Sequence, residues 1–171
     1  MTLEEFKKTI YPLKNKLFRF AYRFLEHTEE SEDVVQEVFI RLWNRRDKLD
    51  EYRSVEALAM VTTKNICLDK IRGRRYPVEN FDHHRQFLEG LPEETRADYS
   101  DLIYGVKQAM KQLPEQQQMI VHLRDVEGYE FEDIAKIVGM TENAIRVALS
   151  RARKRIRELI VNSKLYEYQR N

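Results

Sequence analysis

Basic side chains are concentrated near the end of the chain, where six of them fall between positions 146 and 157. Guanidinium and ammonium groups at this density favour contact with phosphate, and an arginine can also pair with the edge of a guanine base. The segment matches no nucleophile-and-base motif, so these residue types predict a binding surface rather than bond-making chemistry. The six residues are Arg146, Arg151, Arg153, Lys154, Arg155 and Arg157.

Two helical patterns would position this basic cluster. Apolar residues recur at helical spacing over 131–138 and again over 141–159. Between them, Gly139 can take the left-handed conformation that ends a helix, and Thr141 is a favoured N-cap for the next one. The pattern is typical of a helix–turn–helix, and a hairpin with a solvated basic face is the alternative. The inward stripe of the second helix comprises Ile145, Leu149, Ala152, Ile156 and Leu159. Its opposite face comprises Asn143, Val147, Ser150, Arg151 and Lys154.

The composition predicts an all-α protein. The 171 residues include only five Gly and four Pro, and no segment alternates in the manner of a strand. The single cysteine, Cys67, lies in an apolar helical pattern, which predicts a buried free thiol in a reducing compartment. No apolar run approaches the roughly 18 residues of a membrane span, and the first residues do not resemble a signal peptide. We therefore expect a cytoplasmic protein with no membrane insertion of its own.

The sequence offers no motif for catalysis. It contains no Gly-rich phosphate loop, no nucleophile-and-base motif and no cluster of metal ligands at the usual spacing. The pair His83-His84 is a weak signal for a metal, because no second cluster accompanies it. We expect neither an enzyme nor a bound cofactor or metal.

A helix predicted over about 29–46 has two kinds of face. Gln36, Ile40 and Trp43 lie together beside Glu37 and Arg41. Aromatic, aliphatic and Arg side chains mixed in this way are typical of a protein-contact surface. Equally, Ile40 and Trp43 could simply widen the hydrophobic core. The inward stripe of this helix comprises Val35, Val38, Phe39 and Leu42.

A charged loop at 47–54 precedes a third helix, predicted over 55–72. Tyr52 in the loop and the basic end of the helix suit unpaired nucleic acid, whose bases can stack on an aromatic ring. The alternative is that the basic residues only complement the helix dipole. The residues expected to be buried on this helix are Leu58, Val61 and Leu68. The basic end comprises Lys70, Arg72, Arg74 and Arg75, and Asn65 and Asp69 lie one turn apart on the same helix.

Prolines and a change of composition predict how the chain is divided. Pro12 predicts a break near Tyr11, and Pro114 is well placed to open a helix. Positions 77–100 are acidic and include two of the four prolines, which predicts a flexible linker. We therefore predict two small helical domains, over 1–76 and 101–163, the second with four helices, followed by a polar tail at 164–171 that frays. The helix after Pro114 would turn Ile120, Leu123 and Val126 inward.

Three motifs occur in an order that resembles bacterial RNA polymerase sigma factors of the extracytoplasmic-function group. The resemblance covers nearly the whole chain, from about Phe6 to Leu159. The segment 32–39 is similar to the helix by which sigma factors grip the coiled coil of the largest polymerase subunit. The segment 65–72 is similar to the promoter-melting helix of the family. The third motif runs from Leu113-Pro114 through Glu127-Gly128, Asp133-Ile134-Ala135 and Ser150-Arg151-Ala152-Arg153.

This resemblance implies a factor that binds core RNA polymerase and directs promoter-specific initiation through three surfaces. The implied polymerase contacts are Asp33, Gln36, Glu37, Ile40 and Trp43. The implied contacts to the unpaired −10 strand are Tyr52, Arg53, Asn65, Lys70, Arg72, Arg74 and Arg75. The implied contacts to the −35 duplex are Thr141, Asn143, Arg146, Val147, Ser150 and Arg151, with Lys154, Arg155 and Arg157 on phosphate.

Further partners follow only from the resemblance. It implies that a groove in the second domain receives the tip of the polymerase flap, although the side chains of that groove also fit a plain core. It also implies an anti-sigma factor, and association with the nucleoid when the protein is bound to polymerase. The groove comprises Leu113, Ile120, Leu123 and Ile134.

The sequence departs from the family pattern at two places. Ala148 stands where many relatives carry a basic residue, and 55–59 lacks a Trp that often opens the third helix.

A second function class is a free-standing helix–turn–helix regulator. Such a protein would bind palindromic duplex DNA by itself as a dimer. The pattern leaves no obvious dimerisation seam, and this function would leave the face around Gln36 and Trp43 unexplained.

Overall fold

The computed structural model describes the backbone of residues 1–74 and 93–170, with side chains for 1–74 and 101–164. In these ranges the chain forms eight α-helices and no strand, which confirms the all-α prediction. Its contacts divide it into two compact units, Met1–Phe81 and Asp82–Asn171.

The N-terminal unit contains four of the helices, and a 3-10 turn at Tyr11–Leu13 separates the first two. This turn confirms the break expected from Pro12, because proline cannot donate the hydrogen bond that would continue the first helix, Leu3–Ile10. The helices are α1 (Leu3–Ile10), α2 (Lys14–Leu25), α3 (Thr28–Asn44) and α4 (Val55–Gly73), with a 3-10 segment at Arg46–Glu51 between the last two.

Polar side chains begin helices α3 and α4. His27 caps α3, since its Nδ1 accepts the backbone N–H of Glu30 at 3.3 Å. Ser54 caps α4, with its hydroxyl oxygen accepting the N–H of Ala57 at 3.1 Å. Each bond satisfies a backbone donor that has no partner within the helix, which fixes where the helix starts.

Helices α2, α3 and α4 enclose the core of the N-terminal unit, and α4 buries a different face from the one predicted. Leu58, Val61 and Leu68 are only half-buried. Apolar and small residues surround most of α4, so the spacing of the large ones alone did not identify the inward face. The residues that α4 buries are Ala57, Ala59, Met60, Thr63, Ile66 and Cys67. The prediction of a buried thiol is confirmed, and burial raises the pKa of Cys67 to about 12.

The C-terminal unit contains the other four helices, as predicted. Helix α6 (Glu115–Val121) follows directly after Pro114, and a π-helical segment at His122–Val126 continues it. The prediction that Val126 faces inward was wrong, since its side chain is 54% exposed. A π-helical segment changes the angle between successive residues, so α-helical spacing no longer predicts the face. The four helices are α5 (Glu93–Lys111), α6 (Glu115–Val121), α7 (Phe131–Val138) and α8 (Glu142–Arg170).

Two predicted boundaries differ from the structure. Helix α5 begins at Glu93, inside the predicted linker of 77–100, where Glu93 and Glu94 suit the positive end of a helix dipole. The tail at 164–171 was expected to fray, but helical backbone continues to Arg170. No Gly or Pro lies between 142 and 170 to end that helix. The rest of the predicted linker, 77–92, lies outside the described residues.

Candidate nucleic-acid and partner interfaces

Helix α8 presents the polar face predicted for a recognition helix. Gly139 adopts the left-handed conformation with φ of 70°, and the Thr141 hydroxyl oxygen accepts the N–H of Ala144 at 3.2 Å. The tight turn and the cap are therefore as expected. Ile145, Leu149 and Ala152 are buried, whereas the opposite face is exposed. The exposed residues are Asn143, Val147, Ser150, Arg151 and Lys154.

Some basic side chains of α8 are bonded to other residues of the protein, whereas others are exposed and can bind a partner. Arg153 donates to both carboxylate oxygens of Asp125 in the π-helical segment, at 2.5 and 3.0 Å, and this bond raises the pKa of Arg153. Arg153 thus fastens α8 to the π-helical segment that follows α6, although the sequence placed it with the phosphate-facing cations. Arg151 and Lys154 are exposed and form no ion pair with a described side chain. On the face opposite the buried residues of α8, these two are the cations best placed for a partner.

Arg146 is held on its own domain by two contacts. Its Nη2 lies 3.2 Å from Oε2 of Glu142, and its guanidinium carbon lies 4.6 Å from the ring centroid of Phe131. The guanidinium carbon of Arg124 lies at the same distance from that ring. The sequence pattern gave Phe131 only an apolar role. The ring contacts depend on the two turns that flank α7, which spacing along the chain does not specify.

Helix α3 carries an exposed aliphatic residue among polar neighbours. Ile40 is 60% exposed, so it lies outside the core and does not widen it. Trp43 is half-buried, with its ring edge-on to Phe6 at a centroid distance of 5.2 Å and Arg46 4.6 Å from its centroid. Of the two alternatives that the sequence left open, Ile40 therefore fits an exposed contact surface, whereas Trp43 is partly packed into the core. Of the other predicted contacts, Asp33 and Gln36 are exposed, and the half-buried Glu37 pairs with Arg41.

The 3-10 segment between α3 and α4 forms one side of a cleft of about 420 Å³. Tyr52 lies in this cleft with 42% of its surface exposed, and Arg53 beside it is exposed as well. The sequence identified Tyr52 and the loop, but it missed Asn44 and Arg45. Both follow Leu42, the last predicted inward residue of α3, and the 3-10 segment after them places them beside Tyr52 in the cleft. The cleft is lined by Asn44, Arg45, Asp47, Lys48 and Tyr52.

The basic end of α4 is partly used inside the protein. Arg74 donates to Oε2 of Glu30 at 2.7 Å and to the backbone carbonyl of Leu25 at 3.1 Å. This guanidinium lowers the pKa of Glu30. The structure thus gives Arg74 a role in closing the N-terminal unit. Asn65 and Arg72 are exposed, Lys70 is half-buried, and Arg75 lies outside the described residues.

Metal ligands do not gather anywhere in the described part of the chain. No group of three His, Cys, Asp or Glu side chains there could hold an ion. The pair His83-His84 lies outside the described residues. Among the helices that are described, none is long and apolar enough to cross a membrane.

Family models match both units. Residues 11–76 match sigma-70 region 2, and residues 105–156 match sigma-70, region 4. The RNA polymerase sigma-H factor of Pseudomonas aeruginosa is 31% identical over 163 residues, which cover 88% of this chain and 83% of that protein. The chain belongs to the extracytoplasmic-function group of sigma factors. SigW of Bacillus subtilis, a sigma factor of the same extracytoplasmic-function (ECF) group, is 24% identical to this chain. The match covers 85% of this chain and 83% of SigW.

Solved structures share the fold. The sigma factor RpoE in complex with the anti-sigma factor NepR, from Bartonella quintana, superposes with a TM-score of 0.68 at 20% identity. That match covers 92% of this chain and 98% of RpoE. CnrH, in complex with the cytosolic domain of CnrY, gives a TM-score of 0.68 at 18% identity, covering 94% of this chain and 90% of its own. Membership of the family makes this chain a transcription initiation factor that directs polymerase to promoters, and does not favour a free-standing regulator.

Proposed function

We propose that this sigma factor divides its work among three surfaces, of which the α3 face holds core RNA polymerase. That face would contact the coiled coil of the largest subunit. The observation that carries this assignment is Ile40, an aliphatic side chain exposed to 60% on a helix whose inward stripe is already complete. An aliphatic anchor with charged neighbours is the usual composition of a protein-contact hot spot. The proposed contacts are Asp33, Gln36, Glu37, Ile40 and Trp43.

Replacement of Ile40 tests this surface without disturbing the core. Ile40→Lys should weaken binding to bacterial core polymerase at least about tenfold, because a buried ammonium group would replace the anchor. Val161→Lys is the matched control, since Val161 is 55% exposed on the C-terminal unit. Trp43 is a poorer choice because it also packs against Phe6. Equal affinity of both variants, with unchanged circular dichroism, would place the main contact elsewhere.

The cleft beside α3 would hold an unpaired base of the −10 strand. Tyr52 offers an exposed ring for stacking, Asn44 offers an amide for a base edge, and Arg45 and Lys48 offer charge for the backbone. This combination of an aromatic ring with cations is typical of sites for single-stranded nucleic acid. Arg53, Asn65, Lys70 and Arg72 would extend the strand path. Arg75 remains a prediction from the sequence, and Arg74 would act mainly inside the fold.

Helix α8 would read the −35 duplex in the major groove. Arg146, Ser150 and Arg151 would contact base edges, and Lys154 and Arg155 would contact phosphate. Val147, which is 46% exposed between polar neighbours, would touch the methyl group of a thymine. Thr141 and Asn143, at the start of the helix, would approach the DNA backbone, where helix N-termini favour phosphate.

We propose two further protein partners for this chain. The flap tip of polymerase would bind the C-terminal unit. The four side chains that the sequence assigned to the groove are all buried and do not form a surface for the flap tip. They are Leu113, Ile120, Leu123 and Ile134. The complex of RpoE with NepR supports an anti-sigma partner for this chain. We place the protein in the cytoplasm, with the nucleoid when it is bound to polymerase, and we assign it no catalysis of its own and no cofactor.

A further inference from the structure

We propose that Phe131 is a positioning residue that orients Arg146 for reading the −35 element. This proposal rests on the proposed function, in which Arg146 contacts a base edge. Phe131 is the first residue of α7, and Arg146 lies in the second turn of α8. The tight turn at Gly139 brings these two positions together, so that the aromatic ring and the guanidinium meet.

Two contacts restrict the Arg146 side chain before DNA arrives. Glu142 lies one turn earlier on α8 and pairs with the guanidinium at 3.2 Å. Phe131 contacts it from α7, with 4.6 Å between the guanidinium carbon and the ring centroid. A free arginine loses rotamer entropy when it binds, and a guanidinium pairs with guanine only when its plane is correctly aligned. Restriction by the ring therefore favours the one base that matches this alignment.

Arg124 fixes the ring. Its guanidinium carbon is also 4.6 Å from the Phe131 centroid, while its Nη1 donates to the backbone carbonyl of Tyr129 at 2.7 Å. Nη1 also lies 3.3 Å from a carboxylate oxygen of Glu130. These bonds tie Arg124 to the turn between the π-helical segment and α7.

The two arginines differ in how far DNA could reach them. The side chain of Arg146 is 52% exposed and that of Arg124 only 28% exposed. Arg146 is thus the member of this stack that can contact DNA, whereas Arg124 and Phe131 hold it in place.

Base preferences measured with a randomised −35 library test this role. The holoenzyme, assembled from the full chain and bacterial core polymerase, would select from duplexes that are randomised only at the −35 element. Arg146→Ala identifies the position that Arg146 reads. Phe131→Leu should reduce the preference at this same position by about two- to fivefold, the effect of one exposed cation–π contact. It should leave the other positions unchanged, and Phe131→Tyr should restore the preference.

A control separates positioning from packing. Val138→Ala removes apolar contact from a half-buried residue at the other end of α7. It should leave the preference at every position unchanged, even if it lowers the melting temperature as much as Phe131→Leu does.

Each failure has its own signature. If Arg146→Ala changes no position, the assignment of Arg146 as a base-reading residue is wrong, and the proposal for Phe131 falls with it. If Arg146→Ala flattens a position that Phe131→Leu leaves intact, only the positioning role is overturned. An equal loss of preference at all positions in Phe131→Leu would also overturn it, because that is the result of a loosened domain.

Discussion

The two candidate DNA-binding surfaces are built in different ways. The −35 surface is one face of a single helix, α8, whose exposed residues follow α-helical spacing. The −10 surface is composite, because its cleft joins the end of α3, the 3-10 segment after it and Tyr52. A major groove admits a straight helix, whereas an unpaired base requires a concave site with an aromatic wall.

On both surfaces, the basic residues divide into bound and available ones. On α8, Arg151 and Lys154 are available to DNA while Arg153 is bound to Asp125. At the end of α4, Arg72 is exposed while Arg74 is bound to Glu30. In both units, one arginine of a basic run joins two elements of its own unit, while another basic residue of the run is exposed. A count of basic residues therefore overestimates the number of DNA contacts.

The largest expected effect separates base reading from phosphate contact on α8. Arg151→Ala should cost roughly 1–3 kcal/mol of discrimination between the best −35 sequence and its variants, because a base contact is lost. Lys154→Ala should weaken binding to all sequences and reduce the slope of log affinity against log salt by about 1. Holoenzyme binding to duplex fragments at several salt concentrations gives both quantities. Equal, sequence-independent losses would mean that α8 uses a different face.

A smaller effect separates the two arginines at the end of α4. Arg74→Gln should lower the free energy of unfolding of the N-terminal unit by about 1 kcal/mol at pH 7, while Arg72→Gln should leave it nearly unchanged. The figure is modest because Glu30 is about one-third exposed and solvent screens the pair. Denaturant unfolding followed by circular dichroism would measure both variants. A larger loss for Arg72 would contradict the division of roles.

The same ion pair predicts a pH dependence. Because Arg74 lowers the pKa of Glu30, the pair stabilises the folded state at pH values above the ordinary value of 4.5. This contribution is lost as the pH falls through the lowered pKa, where the carboxylate takes up a proton. The stability difference between wild type and Arg74→Gln should therefore be complete at pH 7 and shrink in acid. A difference that does not change with pH would exclude the ion pair as its cause.

The smallest expected effect concerns one methyl group. If Val147 contacts a thymine methyl, replacing that thymine by deoxyuridine should cost about 0.8 kcal/mol or less, the value of one buried methylene. Val147→Ala should make binding insensitive to this replacement, which a scan of each −35 thymine would detect. Ser150→Ala serves as the control, since it should keep the sensitivity to the methyl group.

The sequence predicted what depends on local spacing and missed what depends on tertiary contacts. Gly139, Thr141 and the exposed face of α8 followed from capping rules and helical periodicity. The inward face of α4 did not, because apolar residues surround that helix and Ala57 and Ala59, rather than Leu58, are buried. Val126 was misplaced because a π-helical segment changed the register.

The missed contacts all join residues that are not neighbours in the chain. Arg153 and Asp125 are 28 positions apart, and Arg74 and Glu30 are 44 apart. The two members of each pair lie on different elements, so each pair forms only when those elements pack together. The contacts of Phe131 with Arg124 and Arg146 were not predicted for the same reason.

The contrast between the two surfaces is tested most directly by measuring the affinity of the holoenzyme for promoter fragments. In these fragments the −10 element or the −35 element is either base-paired or mismatched. On a promoter selected from a randomised library, we expect unpairing of the −10 element to strengthen binding by the wild type. Tyr52→Ala should lose about 1–3 kcal/mol of this gain. Unpairing of the −35 element should weaken the wild type, and it should weaken Arg151→Ala by roughly 1–3 kcal/mol less, because one base contact is already missing. The division would be contradicted if Tyr52→Ala keeps the whole gain, or if unpairing the −35 element weakens Arg151→Ala as much as the wild type.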